Sequence, residues 1–285
     1  PDHLGWESTA ITTTLRRHNN PAPKPIANKP TRAATCHQPP AARPGPATIT
    51  LHPSLAVAML RRRLVTSGRV WLLLRHLDED GRGWLTADAC RRQLTERGNP
   101  FRLCGQRQLR NLLREGENIF WTRRNGRIWL RAGAKVAAAL GVERLNGRPV
   151  ALPIAILTEP IGTVRAHFYA SFHSGRQPDE ETAAPIARDT IAAITHVKPR
   201  IQRLYEARTQ TKKHTNLAIG PAVGQADPQE IAWDHGHAAF QWTDHRGQQG
   251  EPGTRYWVWQ LPNSYAGPHA RQPRAKQKRI NRQLT

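Results

Sequence analysis

The chain has 285 residues, with 43 lysines and arginines against 21 aspartates and glutamates, a formal charge of +22. That length allows roughly one to three domains, and that charge points to a polyanionic partner. No stretch approaches the roughly 20 apolar residues of a membrane-spanning helix, the longest runs being Val70 to Leu74 and Val150 to Leu157, so no membrane partner is expected.

The three cysteines, Cys36, Cys90 and Cys104, are too far apart for a metal knuckle, and their odd number argues against a disulfide framework. A reducing cytoplasm is the expected compartment. From Pro21 to Pro53 the chain is crowded with proline, which removes backbone donors and bars regular structure. Residues 1–53 are therefore expected as a disordered basic leader, with Cys36 an unpaired thiol within it.

Helical spacing begins with Leu55, Met59, Leu60 and Leu64 and recurs at Val70, Leu73, Leu74 and Leu77, ending at the turn Asp78-Glu79-Asp80-Gly81. Thr86 is the expected N-cap of a second helix that stops at Gly98. After Asn99-Pro100 comes GQRQLRNLLREG, in which Leu109, Leu112 and Leu113 make an apolar stripe and Arg107, Arg110 and Arg114 occupy the rest. Two short β-prone runs then flank Asn125-Gly126, the strongest short hairpin signal.

Helix, helix, basic helix and hairpin, with Arg123, Arg124 and Arg127 at the hairpin tip, resemble the winged helix-turn-helix family over about Val70 to Leu130. The resemblance implies a third helix in the major groove and a hairpin wing on phosphates or the minor groove. A second copy of the pattern is expected further on. VRAHFYASFHSG, PIARDTIAAITHV and KPRIQRLYEARTQTKK supply three helices with Ile186, Ile191, Ile194, Val197, Ile201 and Leu204 as the expected apolar skeleton, and the third helix carries Arg200, Arg203, Arg208, Lys212 and Lys213. HAAFQWTD and RYWVWQLP then read as strands around a long wing, HRGQQGEPG. Two such units resemble plasmid-type replication initiators, which implies origin recognition.

The expected fold is mainly α with small β-hairpins, in the α+β class: tandem winged-helix-like units over 54–148 and 149–265 between disordered basic termini. The tail over 266–285 carries Arg271, Arg274, Lys276, Lys278, Arg279 and Arg282 without an acid and is expected as a solvated arm on phosphates.

Other constellations are weaker. Asp78, Asp80 and Gly83 match three positions of a calcium loop, but Arg82 and Ala89 stand where oxygen ligands are needed. His235 and His237 form an HxH pair which, with Tyr256 or Tyr265 downstream, resembles rolling-circle nicking endonucleases. Gly236 between them and Asp234 before them fit a polar turn better than a metal-bearing strand. No phosphate-binding GxxxxGK[ST], GxSxG or HExxH motif occurs, so no cofactor, metal or catalytic residue is expected. Of the nine tryptophans, Trp71 and Trp84 are expected to pack in the first unit, Trp121 and Trp129 to staple the wing, and Trp257 and Trp259 to share one strand face.

The expected function is recognition of double-stranded DNA, in replication initiation or transcriptional regulation of a plasmid or mobile element, at the nucleoid in the cytoplasm. Gln106, Arg107, Arg110 and Asn111 would read base edges in the first unit, with Arg114, Arg123, Arg124 and Arg127 beside them. Arg200, Gln202 and Arg203 would read bases in the second, with Arg208 adjoining. The alternatives are an HxH metal-dependent nicking endonuclease and a structural RNA-binding protein.

Overall fold

The computed structural model describes residues 47–176, 183–224, 239–274 and 277–284. Cys36 and residues 1–46, nearly all of the expected leader, lie outside them. Regular structure starts earlier than the sequence predicts. Strand β1 (Thr48–Leu51) pairs antiparallel with β5 (Val150–Pro153), and helix α1 (Pro53–Arg61) begins on Pro53 itself. A proline at the first helical position gives up no needed amide hydrogen, so Pro53 opens this helix instead of breaking it.

The stretch that carries the winged-helix resemblance folds as α2 (Val65–Leu77), β2 (Trp84–Thr86), α3 (Ala87–Thr95), α4 (Gln106–Glu115), β3 (Trp121–Arg124) and β4 (Arg127–Leu130). The strands form an antiparallel sheet ordered β2-β4-β3, so the strand before α3 joins the far side of the hairpin. The α2–β2 turn is set by Asp78, whose carboxylate accepts the backbone N–H groups of Arg82 (3.0 Å) and Gly83 (2.7 Å). Thr86 caps α3 as expected, its hydroxyl accepting from Ala89 N at 3.1 Å. The β3–β4 hairpin turns on Asn125 (φ 51°) and Gly126 (φ 69°), both in the left-handed region that a two-residue hairpin loop demands.

The chain continues through α5 (Gly133–Ala139), β5, α6 (Ile154–Thr158), α7 (Ile161–Arg176), α8 (Arg188–Thr195) and α9 (Pro199–Thr209). Strands β6 (Lys212–Ala222), β7 (Ala239–Asp244) and β8 (Thr254–Ala266) then make a second antiparallel sheet in the order β6-β8-β7. Helix α9 is shorter than its predicted segment, because Gln210 turns left-handed (φ 56°) and β-branched Thr209 and Thr211 lead out of it. Lys212 and Lys213 consequently lie in β6, a strand the helical reading of that segment concealed.

One hydrophobic core links these parts, running from Leu51 through Trp121 and Phe168 to Tyr265. The β1–β5 ladder and the packing of α1 on α7 cross the boundary expected at residue 148, and all described residues belong to one compact unit. The architecture is mixed α/β with small antiparallel sheets.

The expectation of a disordered tail over 266–285 is corrected over its described part. Arg271 bridges to Val150, and residues 277–284 form α10 (Gln277–Leu284), which packs on α5. Gln277 is buried and its amide donates to the carbonyls of Leu145 (2.6 Å) and Gly147 (3.0 Å). Asn281 exchanges hydrogen bonds with the Leu145 backbone, while Ile280 and Leu284, one helical turn apart, face the core. Docking through amide side chains leaves little apolar signal in the sequence. Among the described residues, no helix is long and apolar enough to cross a membrane.

Candidate nucleic-acid interface

Helix α4 buries Leu109, Leu112 and Leu113 and exposes everything the sequence assigned to recognition: Gln106, Arg107, Arg110, Asn111 and Arg114. The helix is fixed against the hairpin by Trp121, fully buried, whose indole N–H donates to the Leu113 carbonyl at 2.9 Å. At Gly116 the α4 backbone meets that ring so closely that an added methyl would sit 2.3 Å from it. The start of α3 is tied to the hairpin turn by Ala87 N donating to Gly126 O at 2.8 Å. These contacts place α3, α4 and the hairpin around one open cleft of about 620 Å³.

Gln106 and Arg110 line one wall of the cleft, Arg123, Arg124 and Arg127 the other, and Arg91 of α3 its end. The remaining α4 side chains, Arg107, Asn111 and Arg114, lie on the exposed surface outside the cleft. The cations are not equally available. Arg123 is held by Glu117, which accepts from both its side chain and its backbone N–H (2.8 Å for the latter). Arg91 pairs with Asp88 at 3.2 Å and Arg114 reaches Asn111 at 3.5 Å. The guanidinium of Arg127 stacks 3.9 Å over the ring of Trp84, which itself contacts Trp129 across the β2–β4 ladder. Arg107, Arg110 and Arg124 have no ion-pair partner among the described residues. Sequence reasoning missed Arg91 and the Trp84 platform, since only the β2-β4-β3 order brings α3 and Trp84 to the hairpin.

The second set of residues divides. Arg200, Arg203 and Arg208 are exposed on α9, but Gln202 is completely buried. Its amide donates to the carbonyls of Arg188 (3.0 Å) and Val197 (2.9 Å), so it joins α9 to α8 and is corrected from a base reader to a positioning residue. Beside it, Arg188 makes a two-pronged ion pair with Glu206 (2.9 and 2.8 Å), and Tyr169 of α7 donates to the same carboxylate at 2.9 Å.

The nicking alternative needs His235 and His237 beside Tyr256 or Tyr265, and of these Tyr256 is half-buried on β8. His235 and His237 lie outside the described residues, Tyr265 is buried at 2 % exposure, and burial raises its phenol away from the nucleophilic form. No cluster of three or more metal-ligating side chains occurs among the described residues. Cys90 and Cys104 are buried free thiols, and burial pushes Cys90 up to about 12, so neither is poised to react.

No protein-family model matches this chain, and neither a curated protein nor a solved structure matches it.

Proposed function

We propose that this chain is a winged-helix-type protein that binds double-stranded DNA, with α4 in the major groove and the β3–β4 hairpin on the adjoining backbone. The single observation that carries the reading is the cleft, where the polar face of α4 and the arginines of the hairpin meet. Supporting it are the helix-strand-helix-helix-hairpin order and the β2-β4-β3 sheet, which give a wing beside a third helix. In this reading Arg124 and Arg127 neutralise phosphates and fix register, while Gln106, Arg107, Arg110 and Asn111 offer donors and acceptors to base edges. The role is replication initiation or transcriptional control of a plasmid or mobile element, at the nucleoid.

Selection of bound duplexes from a random DNA pool at physiological salt tests the proposal. It predicts an enriched sequence motif. Tight binding without enrichment, or preference for RNA over duplex DNA, contradicts it.

A further inference from the structure

The outer face of α9 differs from that of α4 in one respect: it presents large apolar side chains among its arginines. Leu204 is 49 % and Ile201 38 % exposed, whereas every exposed α4 residue is polar or charged. Arg200, Leu204 and Arg208 follow at four-residue spacing, with Ile201 and Arg203 alongside, so cations and methyl groups share one surface. The opposite side of α9 is spent inward on Gln202, Tyr205 and Thr209. Glu206, the one acid of the helix, is buried and neutralised by Arg188. Every charged group on the exposed face is therefore a cation, and the apolar groups beside them are held outward by a locked inner face.

Resting on the DNA-binding reading above, we propose that α9 is a second recognition helix whose Ile201 and Leu204 contact thymine methyl groups in a major groove, with Arg200, Arg203 and Arg208 on the flanking phosphates. Duplex DNA is the occupant that charge favours, because an apolar protein partner would have to bury or pair three arginines. In the major groove the C5 methyl of thymine is the apolar feature of a base edge. The two helices then read different chemistry: hydrogen-bonding edges at α4, methyl groups at α9.

The test uses the full chain and a duplex enriched from a random pool, resynthesised with deoxyuridine in place of thymidine in one segment at a time. Wild-type affinity is expected to fall about fourfold per methyl removed in one segment, from roughly 0.8 kcal/mol per buried methyl-sized group. The double variant Ile201→Ser, Leu204→Ser is expected to bind the thymidine and deoxyuridine forms alike. Its unfolding temperature should fall only slightly, since each side chain is more than a third exposed. Equal wild-type binding to both duplexes, while R107A/R110A still weakens specific binding, overturns this inference and leaves the DNA reading intact. Discrimination that persists in the double variant overturns it too, as does a change of oligomeric state in that variant, which makes the face a contact between copies. Failure to enrich any duplex overturns both.

Discussion

His173 of α7 is 1 % exposed, sits among the rings of Tyr169, Phe172 and Tyr265, and neither imidazole nitrogen has a hydrogen-bond partner among the described residues. Burial lowers it to about 3, with Arg176 and Arg188 opposing its charge further. His269 is lowered to about 4 by burial and by its neighbour His167, whose Nδ1 lies 3.3 Å from its Nε2. Both groups are neutral in the fold, and an unfolded histidine takes up a proton near pH 6.5. Their contribution is therefore complete above pH 6.5 and is lost as pH falls towards 4 and then 3, by about 1.4 kcal/mol per pH unit for each group. Denaturant titrations across pH 7 to 4 should show this acid limb, and His173→Phe should make it shallower without lowering stability at pH 7. An unchanged limb in the variant contradicts the assignment. At the same scale, Gly116→Ala drives a methyl into the Trp121 ring. Such overpacking typically costs about 1–3 kcal/mol, and an unaltered thermal midpoint speaks against a rigid α4–hairpin junction.

The hairpin is the element most fully written in the sequence: Asn125-Gly126 names the turn, and the turn residues take the positive φ values it requires. Replacing both by alanine puts two side-chain-bearing residues of poor αL tolerance there, at about 1–2 kcal/mol each. The variant should also lose affinity for all duplexes alike, as judged by fluorescence anisotropy, since the wing is assigned to phosphates; retained affinity refutes that assignment. Helix α4 is equally legible, because three leucines at helical spacing define its inner side and leave the polar face by subtraction. Helix α9 is legible as a helix but not in its orientation. Periodicity puts Ile201 and Leu204 in the apolar skeleton, yet they are exposed, because Gln202 and Glu206 take the inward positions, where two carbonyls and Arg188 satisfy them. Strand β6 is hidden by lysines continuing a basic run, and α10 by docking through Gln277 and Asn281.

Among the described residues, elements from β1 to α10 contribute side chains to one core or pack against it, β6 and β7 excepted, so the candidate interface is supported by distant parts of the chain. Removing residues 275–285 takes away α10, uncovers the α5 surface, and deletes the exposed cations Lys278, Arg279 and Arg282. That truncation should lower the unfolding midpoint. It should also flatten the salt dependence of DNA binding, by roughly one unit of slope for each phosphate no longer neutralised. An unchanged midpoint contradicts the docking of α10 on α5, and an unchanged slope contradicts phosphate contacts by Lys278, Arg279 and Arg282.

Recognition of sequence by the exposed face of α4, with Arg110 in the cleft shared with the wing and Arg107 on the surface beside it, is tested most directly by an anisotropy titration of an enriched duplex and a scrambled one with wild type and with Arg107→Ala, Arg110→Ala. The variant is expected to lose about 1–3 kcal/mol per base-reading side chain on the enriched duplex, far more than on the scrambled one. Equal losses on both duplexes would assign these arginines to phosphate alone and contradict recognition by α4.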